Sequence, residues 1–220
     1  MDPETPLPFV IVGTGDHARV ILDALRASGR MPSGFVEVDR PRTSTLRDAG
    51  LPIIGDMKAD LGWYERLGPA LFVVAIGDNE IRAEAYERAL ELGLTAGAVV
   101  HPSAVLLGEC HIEPGSQICA GSVIGVNARV GANAIINTAA TIDHDNIIGE
   151  HASIGPGAHL AGRVMVGDYT HVGIAATVIE GIRIGSRSYI AAGGAVVRDV
   201  PDNVRVAGVP ARAMNSRNRG

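Results

Sequence analysis

Residues 123–157 read VIGVNARVGANAIINTAATIDHDNIIGEHASIGPG, with an aliphatic residue at every sixth position. The same register extends in both directions, so that each sixth residue from Leu106 to Val196 is Leu, Ile or Val. An α-helix cannot use this period, because six steps of about 100° do not return to one face. A strand alternates its side chains every two residues, so steps of six keep one face inward. The period therefore predicts short parallel strands stacked into a β-helix.

The corners between these strands are marked by small residues. Glycine often follows the aliphatic residue, as at Gly125, Gly131 and Gly149. Glycine and Asn tolerate the positive φ that tight corners require. Glycine accounts for 28 of the 220 residues and aromatic residues for only 4%. This composition suits a backbone that turns often and packs small branched side chains.

The residues before the repeat alternate between two kinds of pattern. Buried-strand patterns occur at 8–12, 34–38, 70–76 and 98–100, and helical spacing occurs at 16–28 and 80–92. Such alternation predicts a small parallel sheet of the Rossmann type. The predicted fold class is therefore α/β plus β-solenoid. The predicted domains are 1–100 for nucleotide binding, 101–200 for the β-helix, and 201–220 for a tail that caps the coil.

A glycine turn follows the first predicted strand. Residues 13–18, GTGDHA, match G-x-G-x-x-A between a strand and a helix. Backbone N–H groups in such a turn can approach a pyrophosphate at the helix N-terminus. Glu37 and Asp39, at the end of the second strand, offer acceptors to a ribose or a base. A tight turn without a ligand remains the alternative, and about 95 residues hold only one nucleotide-binding half rather than an NAD fold.

Charge and hydropathy exclude several classes. A net charge of −5 argues against nucleic-acid binding. No apolar run approaches the roughly 18 residues of a membrane span, and the N-terminus lacks the pattern of a secretion signal. Cys110 and Cys119 are too few for a disulfide framework. We therefore expect a cytoplasmic protein with no nucleic-acid or membrane partner.

Five segments resemble the sialic-acid O-acetyltransferases and the nucleotide-linked amino-sugar N-acetyltransferases. They are GTGDHARV at 13–20, AIGDNEIR at 75–82, HPSAVL at 101–106, IDHDNIIGE at 142–150 and AGVPAR at 207–212. The resemblance implies a left-handed coil with three faces and 18 residues per turn, hence about five coils across 106–200. It also implies a homotrimer that binds acetyl-CoA between neighbouring subunits.

The resemblance makes His144 the general base and Asp145 the residue that raises its basicity. An amine that attacks a thioester must lose a proton, and histidine titrates near neutral pH. A carboxylate bonded to one ring nitrogen selects the tautomer and stabilises the imidazolium. The alternative is a surface histidine on a polar turn.

The resemblance also implies two sets of binding residues. The substrate set consists of Gly13, Thr14, Gly15, His17, Glu37, Val38 and Gly77. The acetyl-CoA set consists of Ser153, Gly162, Ile174 and Ala192. Ser153 stands where the family often has histidine, and His151 is a possible substitute for the thioester contact. Arg198, Arg205 and Arg212 either meet the CoA phosphates or are solvated charges.

The implied reaction is direct transfer of acetyl from acetyl-CoA to the amine of a nucleotide-linked 4-amino-4,6-dideoxy sugar. A carboxylate can accept from both N–H donors of guanine, which favours GDP-perosamine over a UDP-linked sugar. O-acetylation of a sialic acid or related sugar is the main alternative, and a non-catalytic solenoid is another. A zinc-dependent β-helix needs histidines 18 or 36 residues apart. The six histidines from His101 to His171 contain no such pair, so no metal is expected.

Overall fold

The computed structural model describes residues 7–38, 50–58 and 62–214. Its first part is a five-stranded parallel sheet with strand order β3-β2-β1-β4-β5. The elements in chain order are β1 (Phe9–Val12), α1 (Asp16–Ala27), β2 (Gly34–Glu37), β3 (Ile53–Asp56), α2 (Trp63–Leu67), β4 (Leu71–Val74), α3 (Asn79–Glu91) and β5 (Thr95–Ala96).

Both faces of this sheet are covered, which explains the continuous apolar run of β1. Ile11 packs into a cluster with the buried side of α1, whereas Val10 and Val12 pack on the other face with Tyr86 of α3. Parallel strands buried on both faces need apolar residues at every position rather than at alternate ones. The carboxyl ends of β1, β2 and β4 therefore lie side by side at one edge.

The second part is a three-sided β-helix of two-residue strands. Face 1 consists of β7 (Val105–Leu106), β10 (Val123–Ile124), β13 (Thr141–Ile142), β16 (His159–Leu160), β19 (Thr177–Val178) and β22 (Ala195–Val196). Face 2 consists of β8 (His111–Ile112), β11 (Arg129–Val130), β14 (Ile147–Ile148), β17 (Met165–Val166) and β20 (Arg183–Ile184). Face 3 consists of β6 (Val99–Val100), β9 (Gln117–Ile118), β12 (Ile135–Ile136), β15 (Ser153–Ile154), β18 (His171–Val172), β21 (Tyr189–Ile190), β23 (Arg205–Ala207) and the antiparallel β24 (Arg212–Ala213).

The register of the β-helix is the predicted one. Neighbouring strands pair residues 18 apart, as Ile136 pairs with Ile154. Every step-six residue from Ile118 to Val196 is buried in one continuous core. Leu106 is 42% exposed and Ile112 is only partly buried, because they belong to the first coil, which has a neighbouring coil on one side only. The strands of face 1 advance by five steps of 18 residues, in agreement with about five coils.

Several element boundaries differ from the sequence expectation. Val99–Val100 pairs with β9 on face 3, so it opens the β-helix instead of closing the first sheet. Thr95–Ala96, which pairs with β4, is the last strand of that sheet. The sequence did not predict β3 or α2, because both elements are short and neither has a clear pattern of apolar and polar residues. No helix within 7–38, 50–58 and 62–214 has the length and apolarity needed to cross a bilayer.

The first domain packs on face 3 and on the corner between faces 2 and 3. Helix α1 contacts β6, and the His17 ring is bonded to Gln117 of β9. At the corner, Asn79 donates to the carbonyl of Tyr169 at 3.0 Å, and Glu80 forms an ion pair with Arg187. On face 1 and the corner between faces 1 and 2, side chains such as those of Val105, Leu107 and Val126 are exposed.

Candidate active site

His144 and Asp145 lie at the corner between faces 1 and 2, in the turn from β13 to β14. Asp145 adopts a left-handed φ of 58°, and its Oδ2 lies 2.8 Å from Nδ1 of His144. The hydrogen bond with His144, followed by that from Asn127, lowers the pKa of the Asp145 carboxyl. When the neutral imidazole donates its Nδ1–H to this carboxylate, Nε2 is the ring nitrogen that carries no proton. The His144 side chain is 46% exposed.

Gly162 lies beside the imidazole because it follows His144 by one coil. A Cβ atom added at Gly162 would be 2.4 Å from Nε2 and 2.5 Å from Cε1 of His144. The main chain reinforces this contact, since the N–H of Arg163 donates to the carbonyl of His144 at 2.9 Å. Only glycine leaves room for the ring in this position.

Replacing Gly162 by Ala should lower the rate of transfer by about 100-fold, because the added methyl group forces the imidazole away by an ångström or more. The initial rate of thiol release from acetyl-CoA measures this effect. Gly121→Asn is the matched control: this corner glycine has a φ of +68° and open space around it, and Asn tolerates that conformation. An active Gly162→Ala enzyme would contradict the placement of His144.

A shallow groove of about 450 Å³ runs along face 1 to the same corner. Its floor is formed by outward residues of successive strands, including Val123, Thr141, His159 and Thr177, and Asp143 lies at its end next to His144. Apolar side chains on or flanking this face are exposed at Val105, Leu107, Val126 and Ile179.

The glycine turn of the first domain has the predicted geometry. Gly13 has a φ of +115°, and a Cβ there would lie 2.9 Å from the carbonyl oxygen of Ala75. Gly15 is the N-cap of α1 and carries no side-chain cap, so the first N–H groups of this helix are available to an anion. Thr14 is half-buried and lies between them.

Three further predicted substrate residues lie at the same edge. Glu37 ends β2, Val38 follows it, and Gly77 follows β4 closely, so all three lie beside the turn after β1. Glu37 and Val38 are half-buried, whereas Gly77 is exposed. Asp39, also considered from the sequence, lies outside the described residues. The arrangement brings six of the seven predicted substrate residues to one cleft edge.

The seventh, His17, has a different contact. Its Nε2 lies 2.8 Å from Oε1 of Gln117, whose own amide donates to the carbonyl of Val74 at 2.8 Å. Burial lowers the pKa of His17, so the neutral ring donates through Nε2–H. The hydrogen-bond partner of Nε2 therefore belongs to the β-helix. A contact of His17 with the substrate would use the other ring nitrogen, Nδ1.

The predicted acetyl-CoA residues do not come together in one chain. Ile174 is 53% exposed and Ala192 is exposed one coil further, both at the corner between faces 3 and 1. Gly162 lies at another corner, beside His144. Ser153 lies on face 3, buried under α3, where its hydroxyl donates to Oδ1 of Asn79 at 2.6 Å. The triangular coil directs these four residues to different sides of one chain. Their role in binding acetyl-CoA between neighbouring subunits stays a prediction.

His151 is buried at the corner between faces 2 and 3. Its ring is 3% exposed, and Nδ1 lies 3.0 Å from the amide nitrogen of Asn133. Tyr86 and Tyr169 pack against its two sides. The position has a left-handed φ of 57°, which turns the side chain toward the first domain. The regular alternation that would align His151 with Ser153 is absent at this corner.

Cys110 and Cys119 give no support to an acyl-enzyme route. Cys119 is buried, and this burial raises the pKa of its thiol to about 12. A thiol of that pKa is not ionised near neutral pH and is a poor nucleophile. Cys110 is only partly buried and is likewise unpaired.

Arg82 is the main residue that sequence analysis missed. It is completely buried in α3, and its guanidinium donates to the carbonyls of Ile76, Asn133 and His151 at 2.7–3.0 Å. It therefore joins the loop that contains Gly77 to the corner of the β-helix. The available signal was an arginine on the apolar side of α3, in register with Tyr86 and Ala89.

Comparison with known proteins agrees with this geometry. Residues 8–89 match the family model of the PglD N-terminal domain. The whole chain is similar to a variant of GDP-perosamine N-acetyltransferase from Caulobacter crescentus, solved with CoA and GDP-perosamine. The two chains are 36% identical with a TM-score of 0.88, over 96% of this chain and 100% of that one. This chain belongs to the hexapeptide-repeat sugar acetyltransferases.

Two further structures are similar to this chain. The acetyltransferase domain of PglB from Neisseria gonorrhoeae FA1090, solved with acetyl coenzyme A, is 30% identical with a TM-score of 0.85, over 96% of this chain and all of that one. WeeI from Acinetobacter baumannii AYE is 21% identical over 95% of this chain and all of that one, with a TM-score of 0.82, and supports the fold. The predicted architecture, a Rossmann-like domain followed by a left-handed parallel β-helix, is confirmed. The predicted enzyme class, acetyltransferase, is confirmed as well.

Proposed function

We propose that this acetyltransferase moves the acetyl group of acetyl-CoA to the amine of a nucleotide-linked 4-amino-4,6-dideoxy sugar in the cytoplasm. The observation that carries the proposal is the His144–Asp145 pair, with a free Nε2 held beside Gly162 at an exposed corner. The 36% identity to a GDP-perosamine N-acetyltransferase over its full length supports a sugar amine as acceptor.

The chemistry is direct transfer within a ternary complex. The amine nitrogen attacks the thioester carbonyl carbon while Nε2 of His144 takes the proton that nitrogen loses. The C–S bond then breaks, and the departing CoA sulfur takes that proton back from the His144 imidazolium, which restores the neutral base. Asp145 stabilises the imidazolium formed in the first step. Backbone N–H groups supply stabilisation of the oxyanion, an effect worth about 3–4 kcal/mol per donor elsewhere.

The nucleotide binds at the edge formed by Gly13, Thr14, Gly15, Val38 and Gly77. The exposed N-terminus of α1 suits the pyrophosphate. The Glu37 carboxylate is available to the two N–H donors of guanine, and this favours GDP-perosamine over a UDP-linked sugar. His17 at the domain junction is the remaining proposed substrate contact.

The site requires more than one chain. The nucleotide edge belongs to the domain on face 3, whereas His144 lies at the corner between faces 1 and 2, one side of the triangle away from that domain. A side of six residues spans roughly 15–20 Å. We propose a homotrimer in which His144 of one subunit contacts the nucleotide sugar bound to another. Acetyl-CoA binds between neighbouring subunits, in contact with Gly162, Ile174 and Ala192. The apolar groove of face 1 supports such packing.

The test is thiol release from acetyl-CoA with a panel of GDP- and UDP-linked 4-amino-4,6-dideoxy sugars and, separately, sialic acid. Turnover of one amine supports N-acetylation and identifies the nucleotide. Turnover of the hydroxyl acceptor alone would instead establish O-acetylation. Subunit sharing is tested by mixing two variants, His144→Asn and Glu37→Lys, after partial dissociation. Recovery of activity in the mixture supports shared sites, and failure of exchanged trimers to recover it would refute them.

A further inference from the structure

The turn that carries His144 and Asp145 ends at Asn146, whose amide is completely buried in the core of the β-helix. The residues one coil before and after it, Ala128 and Val164, are apolar and buried. An amide in such surroundings costs free energy unless its polar atoms are hydrogen-bonded. Asn146 is therefore an exception in the core, and it lies next to the catalytic pair.

The contacts of this amide are unequal. Its Oδ1 accepts from the backbone N–H of Val164 in the next coil. Its Nδ2 has no partner among the described residues. The N–H of Val164 needs an acceptor, so the Asn146 amide is oriented with Oδ1, and not Nδ2, toward it. In this orientation Oδ1 of Asn146 is hydrogen-bonded, whereas Nδ2 has no partner among the described residues.

The hydrogen bond from Val164 N–H to Oδ1 of Asn146 takes the place of the bond that closes several other turns of the β-helix. At the other corners of the same coil, the turn closes on itself: Ala152 N–H donates to Gly149 at 3.4 Å, and Ala158 N–H to Gly155 at 3.1 Å. One coil before Asn146, Ala128 N–H closes its turn onto Gly125 at 3.2 Å.

The turns at the corner between faces 1 and 2 are less uniform. Among the described residues, the N–H groups of Asn146, Val164 and Ile182 do not donate to the carbonyl three residues earlier. At Val164 the N–H donates to Oδ1 of Asn146 instead. The 161–164 turn contains Gly162, which lies beside the imidazole of His144, so Asn146 is linked to that ring through one turn.

We infer that Asn146 is a positioning residue for His144. By accepting from the N–H of Val164, it fixes the backbone of the 161–164 turn and so sets the distance between Gly162 and the imidazole. This inference rests on the proposed role of His144 as general base.

The experiment compares three variants with the full-length enzyme. Asn146→Ala introduces alanine, the residue found one coil before at position 128, and removes the acceptor of the Val164 N–H. We expect kcat to fall by about 10- to 100-fold, KM for acetyl-CoA to change by less than about twofold, and the Tm to stay the same or rise. Asn146→Ser, which retains an oxygen acceptor, should recover part of kcat.

Ser188→Ala is the matched control. Ser188 is also buried at a corner, and its Oγ accepts from Val204 N–H of the next coil at 3.3 Å. Its loss should lower the Tm and leave kcat unchanged. A wild-type kcat in Asn146→Ala, or a fall in kcat that merely follows a fall in Tm as in an unstable core variant, would overturn the inference.

A spectroscopic readout separates this inference from the proposed function. The ¹³Cε1 resonance of His144, assigned through its disappearance in His144→Asn, should shift in Asn146→Ala and not in Ser188→Ala. An unmoved resonance overturns the positioning role whatever the activity. Full activity of His144→Asn would instead refute the catalytic role of His144, and the resonance would still decide whether Asn146 positions the ring.

Discussion

Replacing His144 by Asn lowers kcat for acetyl transfer by about 10²- to 10⁴-fold, the usual contribution of a general base. Asn cannot take a proton, although it is close to histidine in size and leaves the surrounding turn intact. The KM for acetyl-CoA should change little, because the ring acts on the proton of the amine rather than on the CoA chain. Initial rates of thiol release at saturating sugar measure the effect.

The control for this substitution is His111→Asn. His111 is exposed on face 2 and should be replaced without loss of rate. Asp145→Asn should be less active than the wild type, because a neutral amide stabilises the imidazolium less than a carboxylate does. Equal activities of His144→Asn and His111→Asn would mean that another group removes the proton.

Replacing Arg82 by Met should lower the free energy of unfolding by about 3–5 kcal/mol, since several buried carbonyls lose a charged donor at once. Three of these acceptors, Asn133, His151 and Ala152, belong to the β-helix, and Ile76 and Gly77 belong to the first domain. Burial lowers the pKa of Arg82 to about 10, so the group remains charged at neutral pH. The junction between the domains should therefore weaken most.

Urea unfolding of Arg82→Met and Arg88→Met measures this difference. Arg88 lies on the same helix, but its side chain is 42% exposed and, within the part of the chain that the structure describes, its ion pair is with the exposed Glu91. Its replacement should change stability by no more than about 0.5 kcal/mol. Arg82→Lys should be intermediate, because an ammonium has three donors where the guanidinium has five. Similar unfolding midpoints for the two Met variants would contradict the role assigned to Arg82.

The β-helix could be predicted because its information is local and repeated. Each coil repeats the pattern of inward aliphatic residues and corner residues. A single position that departs from the pattern therefore does not change the prediction. The first sheet was predicted less completely. Strand β3 and helix α2 are short, and Thr95–Ala96 has too few residues for a pattern. Val99–Val100 has a strand pattern, but only its partner, β9, decides to which sheet it belongs.

Some features of the candidate site could likewise be predicted from the sequence, whereas others could not. The adjacency of His144 and Asp145 is a property of the sequence, and so is the glycine turn at 13–15. The burial of Ser153 depends on Asn79, which is 74 residues away in the chain. The contact of His17 with Gln117 spans 100 residues. Neither contact produces a periodic signal, so neither could be inferred from the chain alone.

The sequence by itself therefore determined the two architectures, the coil register and the adjacency of His144 and Asp145, because all of these follow from short-range spacing. The tertiary structure alone decided how the first domain sits on face 3 and that Arg82 joins the two parts. It also placed Gly162 beside the ring of His144 and Asn146 under the N–H of Val164. These features arise where side chains from different coils and different domains meet, and the packing at such a junction is selected by shape and hydrogen bonding rather than by any repeat in the sequence.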